Sequence, residues 1–504
     1  MSEAIPGMPP PPPPAAPRPA AVAVLYRRVG EGVEVFWVKR EKALRFAGGF
    51  YAFPGGKVDK ADAAVPMRGA SGEEAAMRVA AARELFEETG VLMAEGAEAL
   101  SPERLKEMRR ALLAEERTWG AQLAEAGLTL RAQDFQPAGR WITPPYMPVR
   151  FDTRFFLVEA PRQAVAELWP GELTEAVWVT PKAALERWSE GTALLHSPGV
   201  HVLQVLAKFD TPEAVLARLE APPHCPDFIA TLVEFQQGVR IIPLVTPTLP
   251  PATHTNGYVL GPEELLIVDP GAEDEREFEK LRDLLSTLEA EGKRPVAIVL
   301  THHHWDHVGG VKMLKERLKL PLWCHARTAD RLDVPTERLL VDGEVLELAG
   351  NPPQRWRVLH TPGHARGHIC LVEERSLAAV VGDMVASVST IVIDPPEGNM
   401  RDYLTQLARL RDLPVTTMYP AHGGPIPDGP GKLQEYLEHR AARAERILES
   451  LPPEGATLHQ VVETAYSDTP AFIHPVAERS ALASLEMLME AGRARLQGGR
   501  YFKA

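Results

Sequence analysis

Cysteine is nearly absent from this 504-residue chain: Cys225, Cys324 and Cys370 are too few and too scattered for a disulfide framework or a paired-thiol metal knuckle. They read as reduced, structural residues. No apolar run reaches the roughly 18 residues of a membrane-spanning helix, so no membrane partner is expected. The opening residues also lack the basic start and apolar core of a secretory signal, and a cytoplasmic location is the expectation. An excess of basic charge is missing as well. The formal net charge of -13 argues against non-specific binding to nucleic acid.

What is present is an ordinary globular composition, 45% hydrophobic and 24% charged, at a length that suggests about three domains. Residues 1–20, with Pro9 to Pro14 unbroken, read as an extended disordered arm. Strand patterns around Val22–Leu25 and Val33–Val38 open a first domain, 21–210, and a Pro-Pro-His-Cys-Pro turn marks a linker at 211–234. In 235–430, apolar runs such as 258–260, 265–268 and 296–300 alternate with helical segments such as 275–291, the signature of an α/β layer architecture. The last part, 431–504, reads as three helices and a short hairpin, a winged-helix pattern. The fold class is therefore multidomain, α/β and α+β.

Two motifs carry chemistry. Within 301–307, Thr-His-His-His-Trp-Asp-His, the spacing of His302, His304, Asp306 and His307 does not fit one helix face and suits a loop folding around two ions at a strand end. His364, Asp383 and His422, each in a Gly-rich turn or after an apolar strand, are candidates to complete the shells. The second motif lies on a helix predicted over 73–88 and stopped by Gly90. There Glu84, Glu87 and Glu88 stand at i, i+3 and i+4, so three carboxylates are expected to converge on one face. Mg2+ or Mn2+ is the natural occupant, unless the triplet is only a solvated acidic face.

The stretch Arg83-Glu84-Leu85-Phe86-Glu87-Glu88-Thr89-Gly90-Val91 resembles a Nudix box. Counting back from Arg83, Gly69 takes the box glycine's position, but Ala75 stands where an acid belongs. In a second alignment Phe53-Pro54-Gly55-Gly56 is the entry to the box and a loop is inserted before the helix. The flanks, Arg45 to Gly56 and Arg150 to Phe156, are similar to CoA-diphosphatase-like Nudix proteins. This resemblance implies cleavage of a nucleoside diphosphate derivative, CoA or an acyl-CoA first, with Arg45, Gly55, Gly56 and Arg154 at substrate. Glu87 and Glu88 would bind metal, Glu84 would be a ligand or base, and Arg83 would orient a carboxylate. Glu172 and Glu175 are further candidate bases, set against the plainer reading of surface carboxylates.

The histidine set, with Thr255 to Tyr258 and Val268-Asp269-Pro270-Gly271, resembles the metallo-β-lactamase superfamily. This resemblance implies a dinuclear zinc site, iron or manganese being alternatives, with one ion on His302, His304 and His364 and the other on Asp306, His307 and His422. Asp383 would bridge them, and an ester, thioester or phosphodiester would be hydrolysed. His303, His360 and His368 are expected to stand outside the shells.

Residues 240–504 are similar to the β-lactamase-like protein 2 branch, which carries a winged-helix tail and includes an endoribonuclease. Single-stranded RNA is therefore an alternative substrate to a CoA ester, although the tail lacks a basic stripe. A third reading makes the Nudix part a nucleotide sensor and the tail a module for homodimerisation.

Overall fold

The computed structural model describes residues 14–42, 44, 47–147, 149–162, 164–168, 171–249 and 251–504. Arg45 and most of the proline-rich arm lie outside the described residues. Two compact units meet in sequence between Gln237 and Gly238.

In the first unit the strand Arg18–Val29 is the axis of a seven-stranded sheet. It runs antiparallel to Gly32–Arg40 and parallel to Phe151–Glu159, while the short strand Gly55–Lys57 also pairs with it. Its alternation sends Ala21, Ala23 and Leu25 into one apolar core and Val24 and Tyr26 into another. Helix Gly72–Thr89 covers the first face through Val79, Ala82, Leu85 and Phe86, and helix Ser197–Leu206 covers the second. Gly90, at φ 74°, caps the glutamate helix by donating its N–H to the Phe86 carbonyl. Helices on both faces of a mixed sheet make an α/β/α sandwich.

The segment expected as a linker is not one. Helix Pro212–Glu220 buries Val215 and Leu219 fully in the second core, and strand Val233–Gln236 places the Phe235 carbonyl where it accepts the Leu195 N–H. Two apolar positions four residues apart give this short helix a face to bury, which the proline-rich turn after it obscured in the sequence.

In the second unit one sheet runs Val239–Leu244, Thr255–Leu260, Glu264–Val268, Arg294–Val299, Leu322–His325 and Arg338–Leu340, parallel from its third strand onward. A second runs Val345–Leu348, Gln354–His360, Ile369–Glu373, Ala379–Gly382 and Met418–Pro420. The parallel strands end side by side, so the loops after Val268 and Val299 emerge together. Helices Gly429–Glu449, Leu458–Ala465 and His474–Glu490, then strands Ala494–Gln497 and Arg500–Lys503, form the tail around their own core of Ile447, Val461, Leu485 and Tyr501. Among the described residues no helix is long and apolar enough to cross a membrane.

Candidate active sites

The histidine centre is built where Val268 and Val299 leave the sheet. The turn after Val268 places Asp269 at φ 48°, and its carboxylate accepts from the Thr301 N–H at 2.7 Å, the Thr301 hydroxyl at 2.6 Å and His307 Nδ1 at 2.8 Å. Because the Thr301 hydroxyl donates to Asp269, its lone pair takes the Nδ1–H of His302 at 3.0 Å. His364 donates Nδ1–H to the Val392 carbonyl at 2.8 Å. Each ring is thus fixed in the tautomer that turns Nε2 inward. Close packing holds the loop: a Cβ on Gly271 would lie 1.7 Å from the Asp306 carbonyl, so only glycine fits there.

The inward nitrogens gather in two sets. His304 Nδ1 lies 3.0 Å from His302 Nε2 and 2.9 Å from His364 Nε2. Across the site, His422 Nε2 lies 3.6 Å from Asp306 Oδ2, and His307 Nε2 lies 3.9 Å from the same oxygen. Asp383 reaches both, with Oδ2 3.4 Å from His364 and Oδ1 3.3 Å from His422 and 3.7 Å from His307. The ligand atoms of His302, His304 and His364, of His302, His307 and Asp383, and of Asp306, His307 and His422 each lie within 4.8 Å of one another. Thr255 donates to Asp306 Oδ2 at 3.1 Å.

These residues fit divalent metal. His307 Nε2 and Asp383 Oδ1 are buried without a hydrogen-bond partner among the described residues, and the Nε2 atoms of His302 and His364 point lone pairs at His304. Such an arrangement is costly unless cations occupy it. The fields differ between the two sets. Burial and the neighbouring His307 and His304 hold His302 well below the ordinary histidine value. For His307, burial is outweighed by Asp306, Asp269 and Asp383, which push it up to about 10. His368 stands behind the site: its Nε2 accepts the Asp383 N–H at 3.1 Å and its Nδ1 pairs with Thr361. His360 lies outside, bonded to the Arg366 carbonyl and stacked on His325, and His303 contributes to none of the three ligand groups.

The tail reaches this site through one segment. Arg440 donates to the Ile391 carbonyl, and the Ile393 N–H donates to Ser480 Oγ at 3.1 Å. Between these two anchors sits Val392, whose carbonyl orients His364.

The glutamate centre has a different logic. Glu84 and Glu87 fold onto Arg83, whose Nη1 lies 2.9 Å from Glu84 and 3.2 Å from Glu87. Glu88 instead accepts the Gly55 N–H at 3.2 Å. The three carboxylates share a face but do not form a tight ligand group like those of the histidine centre, a correction to the convergence expected from spacing alone. Arg83 separates like charges that would otherwise repel. Asp62, 1% exposed, clamps Arg83 from behind at 2.9 and 3.1 Å. Counted from Gly56, Asp62 stands where a Nudix box carries its first acid; residues 63–82 then fill a span where the box has seven, so the extra length lies after the acid.

The glycines favour the same alignment. A Cβ on Gly56 would lie 2.4 Å from the Glu84 carboxylate, whereas one on Gly69 would meet only Ala132. Burial pushes Glu84 up to about 7, and burial with the Glu84 charge pushes Glu88 up to about 8. Asp62, Glu84 and Glu87 thus share the cation Arg83, while Glu88 feels the charge of Arg40, and the remaining excess of negative charge is one that a divalent ion would offset.

Other expected residues fall elsewhere. Arg154 lines a cleft with Glu73, Glu74 and Arg140, some ten residues before Glu84 on the helix, so the structure does not bring it to the carboxylates. Its strand register sets it beside Ala21, with the strand Arg18–Val29 between it and Gly56. Glu175 is held by the Tyr51 hydroxyl at 2.5 Å and by Arg187. Glu172 is exposed, 3.8 Å from Arg40. Nothing in the sequence marked Arg40, Asp62 carried only its spacing from Gly56, and Asp269 and Thr301 stood inside the motifs without a role for either.

Comparison with known proteins agrees with both centres. Residues 250–422 match the metallo-β-lactamase superfamily model, 65–206 the NUDT19 Nudix domain, and 457–501 the β-lactamase associated winged helix domain. A Drosophila melanogaster "Beta-lactamase-like protein 2 homolog" is 30% identical over 254 residues, 48% of this chain and 84% of that protein. An "Atrochrysone carboxyl ACP thioesterase" from Aspergillus chevalieri is 29% identical over 258 residues, 49% of this chain and 76% of that protein. The crystal structure of a Nudix hydrolase from Alicyclobacillus acidocaldarius is 31% identical, covering 41% of this chain and 99% of that one, with a TM-score of 0.36. With two hydrolase folds and a winged helix in one polypeptide, the chain belongs to the metallo-β-lactamase enzymes of the β-lactamase-like protein 2 family, extended by a Nudix domain of the NUDT19 type.

Proposed function

We propose that this enzyme has two hydrolytic centres acting on one class of substrate, the CoA thioesters: the histidine centre cleaves the thioester and the glutamate centre cleaves the diphosphate. The observation that carries the first half is Asp383, whose two oxygens face the two nitrogen sets of one buried site. His302, His304 and His364 would hold one ion, Asp306, His307 and His422 the other, and Asp383 would touch both; zinc suits the nitrogen-rich donors, with iron or manganese as alternatives. Such ions supply Lewis acidity and make water acidic enough to ionise near neutral pH.

The chain's own part is positional. Asp269 and Thr301 keep His307 and His302 from rotating, Val392 does so for His364, and Thr255 holds the Asp306 carboxylate. In the first unit Glu87 and Glu88 would hold Mg2+ or Mn2+, and Glu84 would be a third ligand or else the base that takes a proton, its carboxyl held above the usual range by burial while no ion is bound. Gly55 and Gly56 let the backbone approach that face.

A thioester is favoured over RNA by two observations. One relative is named as an acyl-carrier thioesterase. The tail's arginines are engaged, Arg443 and Arg446 with Asp468 and Arg493 with Glu445, which leaves little free basic surface for a phosphate backbone. Incubation of the full chain with Zn2+ and Mg2+, with an acyl-CoA and a single-stranded RNA in separate reactions, tests this by mass spectrometry. Free CoA assigns the thioester step and acyl-phosphopantetheine assigns the diphosphate step. RNA fragments beside intact acyl-CoA would overturn the reading in favour of an endonuclease with a nucleotide-sensing Nudix unit.

A further inference from the structure

Arg140 and Arg154 stand directly opposite each other in the antiparallel ladder of Gln136–Ile142 and Phe151–Glu159. Like charges in that relation repel and weaken a sheet unless anions offset them. Arg140 is offset: its Nε lies 2.8 Å and its Nη2 2.6 Å from the two oxygens of Asp152, and its guanidinium lies 4.6 Å from the centre of the Phe228 ring. Arg154 is not. Its charge reaches Asp152, whose oxygens Arg140 already holds, and it makes no hydrogen bond or ion pair among the described residues. It is half-buried on its strand, with the planar fork of donors that matches a carboxylate left open.

Arg154 lines a cleft of about 580 Å³ in the first unit, beside the N-terminal turns of the glutamate helix. Met77, Pro137, Phe156 and Phe228 give this cleft an apolar wall. Its third guanidinium, Arg78, is already engaged: it pairs with Glu74 at 2.6 Å, donates to the Phe135 carbonyl at 3.1 Å and lies over the Phe156 ring. Glu73 and Glu220 also line the cleft, and both are exposed to solvent. The cleft therefore combines one open cation, an apolar wall and exposed acids. Those acids repel a polyanion such as a nucleotide or CoA. A single carboxylate fits one guanidinium fork bidentately, and an apolar body attached to it covers the wall.

We infer that this cleft binds a monocarboxylic acid with an apolar body, held by Arg154, at a site outside the residues of either hydrolytic centre. The acid released by thioester hydrolysis has this chemistry, so the cleft would register the product of the histidine centre. That identification of the source rests on the thioester reading; the site itself rests on Arg154 and the cleft.

Calorimetric titration of the full chain, stripped of metal so that no ion competes for the carboxylate, tests it with octanoate, butyrate, 1-octanol and inorganic phosphate. Octanoate is expected to bind at least tenfold more tightly than each of the others, because butyrate lacks the chain, octanol the charge and phosphate the apolar body. Arg154→Gln is expected to remove the preference for octanoate over octanol, and Arg154→Lys, which keeps the charge and loses the fork, to weaken octanoate a few-fold. Arg154→Gln is also expected to raise the thermal unfolding transition of the first unit by about 2 °C without ligand, since it relieves the repulsion with Arg140. An arginine kept for structure would lower it. Octanoate no tighter than any of the other three in the parent chain, a preference that survives in Arg154→Gln, or a lowered transition in that variant overturns the inference. Octanoate binding in a chain that leaves acyl-CoA intact would keep the site and remove the thioester as its source of acid. Acyl-CoA hydrolysis by a chain that does not bind octanoate would remove the site alone.

Discussion

Both centres gather ionisable groups beside a sheet, but they solve the repulsion among them in opposite ways. In the histidine centre each inward ring is held from behind, His302 by Thr301, His307 by Asp269 and His364 by Val392, and the donor atoms already converge. In the glutamate centre the restraint sits among the ligands themselves: Arg83 contacts Glu84 and Glu87 directly, and Asp62 restrains Arg83. The first centre is arranged by donors outside its ring of ligands. The second is balanced by a cation within it, so filling it with metal requires carboxylates to trade Arg83 for the ion.

The largest effect that separates the two is expected from Asp383→Asn. Charge stabilisation by bound metal is worth several kcal/mol, so thioester hydrolysis should fall on the order of 10³-fold, with the diphosphatase step unchanged. Metal analysis and the two product assays on one preparation check this. Asp62→Ala comes next. It leaves Arg83 with one partner fewer in a buried network, which costs about 3 kcal/mol of first-unit stability by denaturant unfolding, while metal content of the second unit stays constant.

Asp269→Asn is smaller and sharper. Removal of this outer carboxylate should weaken metal binding roughly 10- to 100-fold by chelator competition, without loss of fold. The equivalent change in the other centre, Arg83→Gln, should disturb Mg2+ binding far less, because the ion replaces what Arg83 supplied.

The smallest effect concerns two buried histidines that burial lowers alike and that their neighbours send in opposite directions. His307 is surrounded by carboxylates and raised, whereas His196 is lowered to about 4 by burial and then by Arg40. Since the folded chain resists protonating His196 while the unfolded chain accepts a proton near 6.5, its contribution is fully present above about pH 6.5 and lost as pH falls towards about 4. His196→Phe should flatten that acid slope in thermal unfolding of the full chain.

The residues of the histidine centre were legible because His302, His304, Asp306 and His307 crowd into one short loop, and His364, Asp383 and His422 lie in Gly-rich turns or after an apolar strand. What held them was not. Asp269 is one residue of a turn until its φ of 48° aims the carboxylate back at Thr301. The glutamate helix was legible from composition and its glycine stop, but helical spacing only says which residues share a face. It does not say that Arg83, itself on that helix, will hold two of the three carboxylates. Asp62 was hidden because residues 63–82, where the box has only seven, separate it from the Arg83 it clamps.

The segment 391–393 bears on where this polypeptide can be divided. By sequence, the metallo-β-lactamase match stops at 422 and the winged helix starts at 457, which invites a cut between them. Any such cut would strip Ser480 from the Ile393 N–H, and one made directly after 422 would also strip Arg440 from the Ile391 carbonyl and the Tyr436 hydroxyl from the backbone of Ala386 and Ser389. Two of these anchors flank the carbonyl that sets the His364 ring. In any effort to shuffle or minimise this enzyme the tail is a structural part of the metal site, and the smallest exchangeable piece runs from Gly238 to the end of the chain.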